Sequence, residues 1–228
     1  MNNTKIEWCD STLNPVCGCT FGCEFCYARR LNNRFGWVKD FSKPQFFPER
    51  LKKLKAKKSR NIFMDSMSDI ADWEDEWLYE TFKAIEENPQ HNYLFLTKRP
   101  LYSKWTQFKK DNVWCGITTI NEKAVNRAIF YFLGTKGLNT FLSIEPLLEE
   151  VQFVDGLGLG SINWVIIGAE TGNRKNKVIP KVEWIEQIVS GCDICGIPVF
   201  MKDSLIPIIG EKNMRREFPK GLGGGSNG

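Results

Sequence analysis

Short apolar runs of strand length alternate along the chain with segments whose apolar residues recur at helical spacing. The runs are Asn61–Met64, Tyr93–Thr97, Val113–Thr118, Thr140–Ile144, Trp164–Gly168 and Pro198–Met201, with Thr12–Val16 a weaker candidate ahead of them. The helical segments are Glu24–Phe35, Pro48–Lys58, Trp73–Glu87, Leu101–Lys109, Glu122–Leu133 and Val182–Ser190. Apolar strands in this rhythm indicate a parallel sheet covered by helices. Each strand–helix pair takes about 30 residues, so 228 residues permit about seven pairs. A complete eight-fold barrel typically uses about 250 residues. The expected fold is α/β, a partial (β/α)6-7 TIM-type barrel over residues 1–220 with an N-terminal cysteine-rich loop. A doubly wound open sheet is the second choice. Residues 221–228 are rich in Gly and Ser and read as a flexible tail.

Polar residues gather where the runs end: Ser66, Ser68 and Asp69, then Thr97-Lys98-Arg99, then Thr118, Thr119 and Asn121, then Glu145, then Glu170-Thr171. In parallel α/β folds that edge binds ligands. Any one of these residues is as well explained by helix capping. Five successive ends carrying hydroxyl or charged groups are better explained by a site.

The chain has eight Cys and one His, His91. Chemistry built on several histidines is thereby excluded, and thiolate chemistry remains. The first ten residues are polar, with no apolar core of a signal peptide, and no run approaches the roughly 18 apolar residues of a membrane span. The expected setting is the cytoplasm, where clustered cysteines are metal-binding or catalytic more often than disulfide-bonded. Cys9, Cys17, Cys19, Cys23 and Cys26 crowd the start, Cys115 stands alone, and Cys192 and Cys195 form a late CxxC. The net charge of +4, from 31 basic and 27 acidic residues, is too mild to imply nucleic acid by itself.

Cys19, Cys23 and Cys26 are spaced CxxxCxxC. Thiolates at this density suit zinc or an Fe–S cluster. A structural zinc site usually offers two CxxC pairs or a His pair; here three regular ligands are joined by Cys17, crowded against Cys19. Three thiolates on a four-iron cluster leave one iron open.

With Phe25 just before Cys26 and Tyr27 just after it, the loop resembles the cluster loop of the radical SAM superfamily. The likeness runs from about Lys5 to Lys202 through Trp8, Asn14-Pro15, Gly18-Cys19, Gly22-Cys23, Cys26-Tyr27-Ala28, Ser66-Met67-Ser68-Asp69, Leu96-Thr97-Lys98-Arg99-Pro100, Ser143-Ile144-Glu145-Pro146-Leu147-Leu148 and Gly168-Ala169-Glu170-Thr171-Gly172. Across that stretch the chain resembles an uncharacterised phage-associated radical SAM-like family and, more distantly, the spore photoproduct lyase branch. The resemblance implies a partial barrel in which Cys19, Cys23 and Cys26 hold a [4Fe-4S] cluster. The open iron binds S-adenosylmethionine, whose one-electron cleavage gives methionine and a 5′-deoxyadenosyl radical. It further implies Ser66, Ser68, Lys98 and Thr118 around the methionyl and ribose groups, with the backbone near Phe25 and Tyr27 facing adenine. Implied too are an electron donor such as flavodoxin or ferredoxin and a bacterial or phage-infected cytoplasm. The lyase carries a cysteine hydrogen donor two residues before its strand-end serine; here Met64 precedes Ser66, and Ser66 precedes Ser68, so dimer reversal by that route is not expected.

Glu145 and Glu170 are candidate acid/base or ribose-binding groups, with helix capping or pairing to Lys202 or Arg174 as the competing view, and Cys115 is a candidate hydrogen donor or a buried small apolar residue. The run Leu51–Arg60 is strongly basic, a solvated helix face or a phosphate-tracking patch. Trp37, Phe41, Phe46 and Phe47 upstream are aromatics that stack on bases or form the core of a lid. The expected substrate is a nucleotide, nucleobase or nucleic acid, with a peptide or small metabolite second. A non-catalytic zinc or Fe–S protein that binds nucleic acid is the reading from another class.

Overall fold

The computed structural model describes residues 2–24, 26–100, 109–153, 158–172 and 174–223. Its contacts divide the chain into two units, Met1–Arg99 and Pro100–Gly228. Both are α/β and built on parallel strands.

In the first unit, β1 (Asn2–Asn3) lies antiparallel to β2 (Ser11–Thr12), which pairs in parallel with β5 (Asn61–Phe63), and β5 with β6 (Asn92–Thr97). The single strand expected over Thr12–Val16 is in fact two. After β2 the chain turns away and forms β3 (Val16–Cys17), an antiparallel ribbon with β4 (Gln45–Phe46). Between β3 and β4 runs α1 (Tyr27–Phe35). It starts later than Glu24 because Cys26 is its N-cap, the Sγ accepting from the Arg29 N–H at 3.4 Å.

The basic segment is a 3-10 helix over Pro48–Lys55 rather than an α-helix to Lys58. Only Leu51 and Leu54 are buried on it, and two anchors three residues apart suit the tighter winding. α2 (Asp75–Glu86) opens with Asp75 and Glu76 at its positive end. Around β5 and β6, Trp73 meets Phe95 edge-on at 5.9 Å and Phe82 stacks on Phe95 at 5.5 Å.

In the second unit β7 (Val113–Thr119), β8 (Asn139–Ile144), β9 (Trp164–Ile167) and β10 (Val199–Met201) are all parallel in that order. Every residue of β5, β7, β9 and β10 is buried. That is why their sequences are continuous apolar runs rather than alternating ones. Gly116 on β7 makes room for Phe141 of β8: a Cβ there would lie 2.2 Å from the ring.

The connecting helices are α3 (Glu122–Leu133), capped by Asn121 on the Ala124 N–H at 2.9 Å, and α4 (Val182–Ile194). α4 outruns the expected Ser190 by a turn, because Cys192 continues its buried face. The short α5 (Ile206–Ile209) follows β10. The helix expected at Leu101–Lys109 lies, but for its last residue, outside the described residues. Of the expected tail, Leu222 is 3% exposed, and residues 224–228 lie outside the described ones. Among the described residues no helix is long and apolar enough to cross a membrane.

Candidate functional site

The cysteine loop leaves β3 through Gly18, whose φ of +112° and lack of Cβ are both required. A Cβ would come 2.8 Å from Pro44 Cα. The Gly18 N–H donates to Met67 O at 3.0 Å and the Cys19 N–H to Phe41 O at 2.7 Å. These bonds, with a parallel bridge between Gly18 and Ser68, lay the loop against the turn at the carboxyl end of β5.

Three further links fix it there. Asn14 Oδ1 accepts from Ser66 Oγ at 3.1 Å and from the Met67 N–H at 2.9 Å. Tyr27 donates its hydroxyl to Ser66 O at 2.7 Å. Asp72 accepts from the Thr20 N–H and hydroxyl at 2.9 and 2.7 Å and pairs with Arg99 at 2.7 Å. Arg99 in turn donates to Thr20 Oγ1 at 3.0 Å.

The strand ends are joined in the same manner. Asp69 accepts from the Thr97 hydroxyl at 2.6 Å and from the Lys98 N–H at 3.1 Å, so the end of β6 is hung from the turn after β5. Asp65, 2% exposed, takes the Leu96 N–H on both carboxyl oxygens at 3.0 and 3.2 Å. Ser68 Oγ accepts from the Trp73 indole at 3.0 Å. Ser66, Ser68, Lys98 and the cysteine loop are thus brought to one edge of the first unit, as their places in the sequence predict.

Burial sets the charge state of this edge. Cys17, Cys19 and Cys26 pack against a cluster of Ala28, Val38, Phe41 and Met67. Burial pushes the Cys19 thiol up to about 12 and raises Cys23 too, the latter against the pull of the Lys98 charge. Burial also raises Cys17, although Arg50 Nη1 donates to its Sγ at 3.0 Å and draws it the other way. Burial and the neighbouring Asp69 charge lift the Asp65 carboxyl well above the usual range. For Asp72 burial also pushes upward, but the bonds from Arg99 and Thr20 outweigh it and hold that carboxyl below its ordinary value.

As a donor set, Cys19, Cys23 and Cys26 fit a soft metal. No disulfide engages any cysteine of the chain, and thiols raised by burial become thiolates when a cation compensates them. Among the described residues, no group of three or more His, Cys, Asp or Glu side chains is drawn together as a metal cage. Cys17 is 1% exposed and bonded to Arg50, which places it in the core rather than in the loop's reach.

Phe25 lies outside the described residues, while Tyr27 is exposed by 45%. Thr118 and Cys115 lie on β7 in the second unit, both buried, Thr118 opposite Ser143 and Cys115 opposite Thr140. In that unit the pairings foreseen for the two glutamates are formed. Lys202 Nζ lies 2.5 Å from Glu145 Oε1, and Arg174 grips Glu170 with two bonds at 2.6 and 2.7 Å. Those bonds lower the Glu170 carboxyl. Gly168 allows the first pair: a Cβ there would lie 3.1 Å from Lys202 and 3.2 Å from Glu145.

Cys192 and Cys195 end α4 ahead of β10, at the amino edge of the strands, opposite Glu145 and Glu170. Asn121 is accounted for by its cap. In the first unit the basic run descends to the amino edge of β5 and β6, where Gln90 donates to Leu54 O and Ala56 O at 3.2 and 2.9 Å and the Asn92 N–H donates to Arg60 O at 3.0 Å. Its lysines are exposed, as a solvated face would be. Of the upstream aromatics Phe41 is buried, and Phe46 stacks on Trp77.

Asn14, Thr20, Arg50 and Asp72 have no role that their sequence neighbourhood suggests. Each acts on a partner 33 to 53 residues away, and no local spacing announces such a bond.

Parallel strands with a thiol-bearing loop bound to their carboxyl ends make this an α/β protein of the kind that carries a ligand site at that edge. The chain belongs to the family described as Protein of unknown function (DUF5131), which matches residues 3–213. No curated protein and no solved structure matches it.

Proposed function

We propose that this chain is a radical SAM enzyme, acting on a nucleotide, nucleobase or nucleic acid. The observation that carries the reading is the suspension of the cysteine loop, by Gly18, Thr20 and Tyr27, from the Ser66–Asp69 turn and the Thr97–Arg99 strand end. Those are the segments the resemblance assigns to S-adenosylmethionine. The partial barrel expected from the strand–helix rhythm belongs to the same reading.

Cys19, Cys23 and Cys26 would hold a [4Fe-4S] cluster. Bound there, the cluster supplies an open iron and one electron for cleavage of S-adenosylmethionine to methionine and a 5′-deoxyadenosyl radical. The chain's own residues bind and orient. Lys98, with its backbone fixed by Asp69, is a point charge for the cofactor's carboxylate. Ser66 donates its hydroxyl hydrogen bond to Asn14, which leaves its oxygen an acceptor toward an ammonium or a ribose hydroxyl. Ser68 accepts from Trp73 and keeps its proton to donate. An electron donor such as flavodoxin or ferredoxin and a cytoplasmic setting go with this chemistry.

The test is anaerobic reconstitution with iron and sulfide, then incubation with S-adenosylmethionine and dithionite. A cluster signal perturbed by the cofactor and slow release of 5′-deoxyadenosine are expected. A colourless protein that takes up one zinc, refuses iron and releases no deoxyadenosine would sink the reading and favour the non-catalytic metal protein.

A further inference from the structure

Apart from Tyr79 on α2, the large apolar side chains of the first unit most exposed to water lie on one stretch of chain. Phe21, Tyr27, Phe35 and Trp37 are exposed by 47, 45, 55 and 41%, all of them aromatic and all on the cysteine loop, α1 or the turn that follows. Phe35 and Trp37 stack on each other at 5.2 Å with their planes 28° apart. The pair is held in place by the backbone. Gly36 ends α1 with φ 66° and donates to Asn32 O at 2.7 Å. Asn32, buried under the helix, then exchanges two bonds of 2.9 Å with the Val38 backbone. The turn carrying both rings is thus closed from inside.

The helix beneath the stacked pair is basic, although the exposed Asp40 follows Trp37 in the chain. α1 holds Arg29, Arg30 and Arg34 and no acidic residue. Arg30 and Arg34 are exposed, and Arg34 lies 5.1 Å from the Phe35 ring centroid. Stacked aromatic faces beside guanidinium groups match a ligand that presents flat rings and phosphates together. A duplex hides its base faces, and a single strand offers them. A second copy of the chain is disfavoured, since a two-fold contact would set these arginines against their own equivalents.

We propose that the outer face of α1, with Phe35, Trp37, Arg30 and Arg34, docks single-stranded nucleic acid. This names the substrate class for the radical SAM reading and rests on that reading only for why the strand is held beside the cysteines. Lys57 and Lys58, where the basic run meets the amino edge of β5 and β6, are not part of the surface.

The test uses the full chain without iron or S-adenosylmethionine and a fluorescent oligonucleotide of about 12 nucleotides, read by anisotropy between about 50 and about 200 mM salt. The single strand binds more tightly than the same sequence as a duplex. Replacing Phe35→Leu and Trp37→Leu keeps apolar bulk but removes the ring faces, and weakens binding about tenfold with the salt slope retained. Arg30→Gln with Arg34→Gln lowers that slope by about 1.4, because two phosphates are no longer neutralised. Lys57→Gln with Lys58→Gln changes neither quantity. Equal melting temperatures establish that the variants are folded. The proposal is overturned if neither oligonucleotide binds, if the duplex binds as well, or if the α1 variants bind like the parent. It is equally overturned by a dimer that dissociates on Trp37→Leu. Because no cofactor is present, failure here is separate from any failure to release deoxyadenosine.

Discussion

Asp65 keeps a carboxyl where a carboxylate is costly. It is buried under the end of β5, with both oxygens reached by the Leu96 N–H and the Ile70 N–H as a further backbone donor. Its pKa in the folded chain is raised by burial and by Asp69. A raised carboxyl contributes stability below the ordinary carboxylate pKa of about 3.9 and loses it as pH climbs through the folded value. Asp65→Asn keeps an oxygen for Leu96 and cannot ionise. The variant is therefore expected to gain stability over the parent as pH rises, measured by urea unfolding at a series of pH values. Asp65→Ala leaves the N–H bare and costs about 1–3 kcal/mol. Parallel pH profiles for the parent and Asp65→Asn would show that Asp65 carries no such penalty.

The opposite sign applies to the clasp that holds loop, turn and strand end together. Asp72 is depressed by its bonds to Arg99 and Thr20 in spite of burial. Its contribution is present above the unfolded carboxylate pKa and is lost as pH falls through the lower folded value. With Arg99 about one-third exposed, the pair is worth roughly 0.5–1 kcal/mol. Asp72→Asn should remove that amount at neutral pH and nothing in strong acid. A double-mutant cycle with Arg99→Gln should return the same coupling. A coupling of zero would mean that the Asp72–Arg99 pair adds nothing to the backbone bonds of Gly18 and Cys19 and the links through Asn14, Thr20 and Tyr27.

This clasp also marks where elements could be read from sequence and where they could not. β7, β8, β9 and α3 were legible almost to the residue, because continuous burial and helical spacing write themselves into the apolar pattern. The strands on either side of the cysteine loop were not. β2, β3 and β4 are two residues each, too short for any periodicity. Their positions are set by distant bonds such as Phe47 N–H to Pro15 O at 2.7 Å. At the site the same division holds. Cys19, Cys23, Cys26, Ser66, Ser68 and Lys98 stand out by type and spacing. Asn14, Arg50 and Asp72 are ordinary residues until the fold brings them to their partners.

Across the whole molecule the cysteines separate by position within their own units, and function is expected to follow that separation. Cys19, Cys23 and Cys26 belong to a loop at the carboxyl edge of the first unit's strands. Cys9 precedes β2, its Sγ 3.9 Å from Ile6 O. Cys17 is in the core against Arg50, and Cys115 is buried in the middle of β7. Cys192 and Cys195 close α4 at the amino edge of the second unit, with burial pushing the Cys192 thiol up to about 12. A site-differentiated cluster needs three thiolates from one loop, whereas a four-thiolate zinc site has to recruit a fourth from elsewhere. A cysteine-to-serine series across all eight positions therefore separates the two. Ser at 19, 23 or 26 should abolish iron uptake after anaerobic reconstitution. Ser at 9, 115 or 195 should leave uptake unchanged, and Ser at 17 or 192 should lower the melting temperature while iron per chain stays at the parent level. Loss of metal on replacing Cys17, Cys192 or Cys195, with the fold intact by circular dichroism, would identify a fourth ligand and turn the reading toward a closed structural metal.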